Sequence, residues 1–242
     1  LWPTQIDWLF LTHHHFDHNA DLPCFLLCRW DQSTGKENRL QVFGPPPTAK
    51  IVDALIGPDG AFADDWKARV NDPTSQHVHV NRGGSLPRPQ PALDVFEIQG
   101  GETIERGRWK TTSTLAHHMA PFLRSLAYRV DTERGSIVFA SDTGPCKAIS
   151  DLAQGADVIV ANCWNHQDLM ESSGEALGQT GTLDAARFAR ESGASMLILA
   201  HTGPSLCLPG SKEKAIGDIS AAYGGKIVFG QEGMVLDLWP RS

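Results

Sequence analysis

The chain has 242 residues, 41% of them hydrophobic and 20% charged, which is enough to bury a sizeable core without disulfide or metal staples. A formal net charge of −7 argues against a protein whose working surface grips nucleic acid, because that footprint is usually basic. No apolar run reaches the length of a membrane span, so no helical membrane anchor is expected within these residues.

The run Ile6-Asp7-Trp8-Leu9-Phe10-Leu11 reads as a buried strand, and it leads straight into Thr12-His13-His14-His15-Phe16-Asp17-His18. Alternate side chains of an extended segment share a side, so His13 and His15 should converge while His14 points away. The turn that follows can bring Asp17 and His18 to the same spot from another angle. Imidazole nitrogens with a carboxylate suit zinc, or failing that iron or manganese, and need no thiolate. The plain alternatives are a tag remnant or a solvated loop. A strand before the histidines and Asn19-Ala20-Asp21 after them are not tag-like.

Asn19 to Trp30 reads largely as a helix, with Cys24 and Cys28 four apart on one face. These two, with Cys146, Cys163 and Cys207, make an odd number of cysteines without a paired CxxC spacing. Core thiols in a reducing cytoplasm are expected rather than a disulfide framework. Arg39 to Phe43 reads as a strand, and Thr48 as the cap of a helix running through Ile56 and closed by Gly57-Pro58. Residues 58 to 92, rich in Pro, Gly, Asp and Asn, read as a long functional surface excursion. Strands are expected at Asp94 to Ile98, Trp109 to Leu115, Ser125 to Val130 and Ser136 to Ala140, the last two joined as a hairpin through Asp131 to Gly135.

The second half alternates strand and helix. A helix ends at Ser150 to Ala153, Leu183 to Glu191 and Lys212 to Tyr223 are helices, and Val158 to Ala161 and Met196 to Ala200 are strands. Ile227 to Gly230 and Met234 to Leu238 should close the sheet. The whole reads as a single domain over residues 1–242, of layered α/β (α+β by some schemes) architecture. Further potential metal ligands stand just beyond these strands: His117 and His118, Asp142, and His201.

With these residues in order, the chain resembles the metallo-β-lactamase superfamily. Its His-x-His-x-Asp-His hallmark is matched by His13-His14-His15-Phe16-Asp17-His18. The resemblance narrows to the ribonuclease Z and arylsulfatase-like branch through His118-Met-Ala-Pro121, Leu126-Ala-Tyr-Arg129, Ser141-Asp-Thr-Gly-Pro145 and Leu199-Ala-His201-Thr-Gly-Pro204. It runs from about Ile6 to Leu238. It implies a four-layer αβ/βα sandwich and two metal ions, taken as Zn2+ with Mn2+ or Fe as substitutes. His13, His15 and His118 would hold one ion, Asp17, His18 and His201 the other, and Asp142 would bridge them. His117 is the rival for the third histidine, and spacing to Tyr128-Arg129 favours His118.

Three departures from the family pattern stand out. The opening strands that normally precede the first motif are missing, so the first sheet should be incomplete. An upstream segment is therefore expected, since the chain opens at Leu1 without methionine, or else a second copy in a homodimer. Ser141 stands where Gly is usual. Gln179, in Gly178-Gln-Thr-Gly-Thr182, stands where ribonuclease Z has a catalytic histidine, and an amide orients but does not donate a proton as an imidazolium would.

The implied chemistry is hydrolysis by a hydroxide held between two metals, with Asp17 orienting it and taking its proton. Lacking a proton donor at Gln179, the enzyme should favour leaving groups of low basicity. The expected substrate is a small-molecule ester, lactone, sulfate or phosphodiester, with Trp66, Trp164 and His166 as candidate pocket lining. The alternative is a tRNA 3′-processing endoribonuclease. The 58–92 excursion argues against that alternative, because Lys67, Arg69, Arg82 and Arg88 are offset there by Asp59, Asp64, Asp65 and Asp72.

Overall fold

Three parallel strands carry the first ninety-eight residues: β1 (Trp8–Phe10), β2 (Leu40–Gly44) and β3 (Leu93–Glu97), in that spatial order. They belong to a computed structural model that describes residues 1–36 and 39–237. The chain divides into two compact units, Leu1–Ile98 and Gln99–Ser242.

Parallel strands need crossover connections, and helices supply them here. Between β1 and β2 lie α1 (Phe16–Asn19) and α2 (Leu22–Gln32); between β2 and β3 lie α3 (Thr48–Ile56), α4 (Ala63–Asn71) and α5 (Pro73–Asn81). Alternation along β2 sends Leu40 and Val42 to one face, where they pack with Leu22 and Leu26 of α2 and Val52 and Ile56 of α3. The other face carries a cross-strand ladder of Phe10, Phe43 and Phe96, in register and stacked at 4.9 and 5.0 Å.

Several local expectations need correction. The helix expected over Asn19 to Trp30 is broken at Ala20 and Asp21 into α1 and α2. Cys24 and Cys28 do share a face, Sγ to Sγ 3.9 Å, yet Cys24 and Cys207 are exposed rather than core thiols. Thr48 is the first residue of α3 and not its cap: its hydroxyl donates backward to the Pro45 carbonyl at 2.6 Å. Residues 58 to 92, read as a long surface excursion, hold two helices that their composition did not suggest, α4 and α5. The signal was Asp72-Pro73. The Asp72 carboxylate accepts from the Ser75 N–H at 2.9 Å, and Pro73 needs no partner for its first-turn nitrogen. Asp72→Ala should therefore cost about 1 kcal/mol, read as a lowered denaturant midpoint with fraying confined to α5.

The second unit is built on a seven-stranded sheet: β4 (Thr103–Arg106), β5 (Trp109–Leu115), β6 (Leu126–Thr132), β7 (Gly135–Phe139), β8 (Val158–Asn162), β9 (Met196–Ala200) and β10 (Lys226–Phe229), ordered β10-β9-β8-β7-β6-β5-β4. β4 to β7 pair antiparallel and β7 to β10 parallel, as expected of a meander followed by strand–helix alternation. Around it lie α6 (Lys147–Ala153), α7 (Gln167–Ser173), α8 (Thr182–Ser192) and α9 (Ser211–Ala222). Ala185, Ala186 and Ala189 let α8 approach Ile159, Leu197 and Leu199 of the central strands closely, all fully buried. Sequence reading missed β4, whose four residues alternate outward, and α7, which buries only Met170. The strand expected at Met234 to Leu238 does not form through Asp237, and its last residue lies outside the described residues.

Candidate metal centre

The first unit's candidate ligands follow β1 directly. Leu11 still pairs with the sheet, its N–H donating to Phe43 O at 2.8 Å, and the chain then runs extended to His15. His13 and His15 converge as the period-two argument required, His13 Nε2 lying 3.2 Å from His15 Nδ1. His14 is turned the other way, with Nε2 3.0 Å from Pro45 O and 2.9 Å from the Thr48 hydroxyl. The short helix α1 then swings His18 back against His13, ring centroids 4.2 Å apart, with Asp17 Oδ2 3.5 Å from His18 Nε2. Asn19, which sequence reading passed over, holds this turn together by donating to the carbonyls of His13 and His15 at 3.1 and 2.9 Å.

In the second unit, sheet topology does the gathering. β5 runs parallel to β7 because both are antiparallel to β6, and β8 and β9 run parallel to β7. The carboxyl ends of β5, β7, β8 and β9 therefore share one edge, and the loops leaving them carry His118, Asp142, Trp164 and His201. Asp142 is 2% exposed, and its Oδ2 lies 3.4 Å from His201 Nε2, 4.0 Å from His118 Nε2 and 3.3 Å from the Gln179 amide nitrogen that donates to it. His118 Nδ1 donates to the Gly178 carbonyl at 2.8 Å, which turns Nε2 to the side of Asp142. Imidazole nitrogens and a buried carboxylate oxygen turned toward one another are donor types that a divalent metal takes. The donor set of this unit fits a divalent metal.

His117, the rival, is exposed and engaged through its backbone: its N–H donates to the Thr143 hydroxyl at 3.0 Å and its carbonyl accepts from Gly144 N at 2.9 Å. Gly144 has no room for a side chain, since a Cβ would stand 2.5 Å from the Leu177 carbonyl oxygen. His166 Nε2 meets the Ser211 hydroxyl at 2.9 Å and its Nδ1 lies 3.8 Å from Asp218, ties that anchor the start of α7 to α9. The Trp164 ring lies 5.7 Å from that of His201, whereas Trp66 is a buried residue of α4. Burial beside β8 pushes the Cys163 thiol up to about 12, so it stays protonated and inert.

Among the described residues, the non-glycine positions with positive φ are Met119 (54°), Ser141 (65°) and His201 (48°). Each sits on or beside a candidate ligand, and such strain is kept where the surroundings over-determine it. At Ser141 the hydroxyl is also buried without a hydrogen-bond partner. Ser141→Gly removes both costs and should stabilise the protein by about 1 kcal/mol, net of glycine's larger unfolded-state entropy. An unchanged denaturant midpoint would show that the position carries no strain.

A model of the beta-lactamase superfamily domain matches residues 2–202. The chain belongs to the beta-lactamase superfamily. It is an enzyme, a hydrolase of metallo-β-lactamase fold, and that fold implies divalent metal ions. Ribonuclease Z of Mycobacterium bovis (strain BCG / Pasteur 1173P2) is 26% identical over 237 residues, covering 96% of this chain and 79% of the relative. Two solved structures share the fold. The metallo-beta-lactamase fold protein YhfI from Bacillus subtilis has a TM-score of 0.66 at 17% identity over 96% of this chain and 77% of its own. The short form of human tRNase Z has a TM-score of 0.64 at 16% identity, over 98% and 81%. No helix among the described residues is long and apolar enough to cross a membrane.

Proposed function

We propose that this superfamily member is a two-zinc phosphodiester hydrolase of the ribonuclease Z kind, with RNA 3′ ends as its macromolecular substrate class. The carrying observation is the Asp142 carboxylate, buried between the Nε2 atoms of His118 and His201 and facing an imidazole whose other nitrogen is already committed. The curated relatives named ribonuclease Z support the substrate class.

In this reading His13, His15 and His118 hold one ion, Asp17, His18 and His201 the other, and Asp142 serves both. All seven lie inside the matched stretch 2–202. When bound, the ions supply Lewis acidity toward a phosphoryl oxygen and lower the pKa of water toward roughly 7. Asp17, at the start of α1 with its side chain about half exposed, takes the proton of the attacking water. His118 is held in register by Gly178 O and His13 by Thr12, whose hydroxyl is 3.1 Å from Nδ1. The cysteines are free thiols, which supports a reducing compartment such as the cytoplasm.

A second reading, a hydrolase of small esters, lactones or sulfates with weakly basic leaving groups, is favoured by Gln179. Its amide nitrogen donates to Asp142 but is far too weak an acid to protonate a leaving group. The test is a panel run on protein with its metal content measured: a tRNA precursor bearing a 3′ trailer, bis(p-nitrophenyl) phosphate, and an aryl ester. About two metals per chain with cleavage of both phosphodiesters is the expected result. Turnover of the aryl ester alone would establish the second reading, and one metal or less per chain would overturn the dinuclear assignment.

A further inference from the structure

The first unit contains a cavity of about 380 Å³ that none of the candidate ligands lines. Its walls come from the end of α2, the turn after it, the start of β2, the stretch after α5 and the approach to β3. The size is that of a small-molecule site. Leu26, Leu40, Ile56 and Leu93 give it an apolar floor, and Trp30 contributes an aromatic face.

Among the described residues the charged lining is of one sign. Arg29, Lys36, Arg39 and Arg88 border the cavity, and among the described residues no lining side chain is a carboxylate. The acids that pair with these cations stand outside the lining: Asp7 is 3.6 Å from Arg29, and Asp94 is 2.8 Å from Arg39. Asp31 is shared by three guanidinium groups, those of Arg88, Arg82 and Arg69 at 2.6, 3.2 and 3.5 Å. Arg69 also pairs with Asp65 at 3.0 Å, so two carboxylates face three cations and a single positive surplus remains beside the cavity. Lys36 makes a 3.0 Å hydrogen bond to the Thr4 hydroxyl, a neutral partner that leaves the ammonium charge uncompensated. Arg29 and Arg88 are themselves buried, so their charge acts with little screening. Arg88 also lies over the Trp30 ring, 4.4 Å from its centroid, which fixes cation and aromatic face together.

We propose that this cavity binds a small amphipathic organic anion, an aromatic or branched apolar body bearing a carboxylate, sulfonate or phosphate. The apolar body would lie on Leu26, Leu40, Leu93 and Trp30, with the anionic group toward Lys36 and the arginines. The site is independent of the metal-dependent reaction and needs no metal for binding.

A matched pair of fluorescent probes tests it: 1-anilinonaphthalene-8-sulfonate, and N-phenyl-1-naphthylamine, which has the same rings without the sulfonate. The full chain should bind the sulfonate saturably at one site, about tenfold tighter than the neutral probe. Ala92→Trp, which fills the mouth, should abolish that binding. The double variant Lys36→Glu/Arg39→Glu should weaken it about tenfold while leaving binding of the neutral probe unchanged. Both variants should melt as the parent does and keep its hydrolase turnover. Equal affinity for the two probes, or an unaltered sulfonate affinity in the rim double variant, would overturn the proposal. If Ala92→Trp does not fold, the rim variant alone decides.

Discussion

Asp142→Ala is expected to strip the chain of bound metal and to lower turnover by roughly 10³-fold or more, with the seven-stranded sheet still folded. The carboxylate is buried, and three nitrogen groups approach the same oxygen, from His118, His201 and Gln179. Two cations near one another need an anion between them, and alanine removes it. Metal ions contribute several kcal/mol of charge stabilisation to such reactions, and 1.36 kcal/mol is a factor of ten in rate, so a loss of about three decades follows. Asp142→Asn separates charge from shape, because it keeps the volume and one acceptor oxygen while discarding the negative charge. Elemental analysis, turnover on bis(p-nitrophenyl) phosphate and a thermal melt, taken together, check the prediction. Wild-type metal content in the alanine variant would remove Asp142 from the centre.

Gln179→His is expected to raise turnover of substrates with basic leaving groups, alkyl phosphodiesters and RNA among them, by about 10²-fold and at most 10⁴-fold. Substrates with p-nitrophenolate leaving groups should change little, because that anion departs without protonation. The glutamine already donates to Asp142 at 3.3 Å, so the side chain at this position reaches the reacting region. Its neighbour Thr180 pins the backbone by donating to Thr143 O at 2.6 Å. An imidazole there would share a proton between Asp142 and the leaving oxygen. The readout is the ratio of rates on an alkyl and an aryl phosphodiester. A ratio that does not move would show that protonation of the leaving group is not limiting here.

The two families of ligands differed in how visible they were. His13 and His15 could be paired from sequence because a strand's period of two places them on one side, and the structure has them 3.2 Å apart. His18 could be expected only as part of a turn, whereas the tilt of α1 and the clamp by Asn19 decide that its ring meets His13. His118, Asp142 and His201 were recognisable as polar residues at strand ends and as motif positions. The choice of His118 over its neighbour is physical in the structure: His117 stays outside, engaged through its backbone with Thr143 and Gly144, while His118 is buried against Gly178 O. The helices α4 and α5 were hidden by composition, because Asp64, Asp65, Asp72 and Pro73 act there as cap and first-turn residues rather than as loop formers.

Local order, then, is what the amino-acid sequence determined by itself. It specified the patterning that builds β1 to β3 and β5 to β10, the ligand types suited to a divalent metal, and the family to which their order belongs. Those features depend on neighbours within a few residues, where backbone geometry leaves few choices. Tertiary structure alone decided which imidazole atom faces the Asp142 carboxylate, since Gly178, which sets the His118 ring, lies sixty positions away along the chain. It also decided that Ser141 and His201 must hold left-handed backbone, and that Arg88, from beyond α5, shares one cavity with Arg29, Lys36, Arg39 and Trp30. Each of these is fixed by how strands and loops stack and is invisible to any window that reads only neighbouring residues.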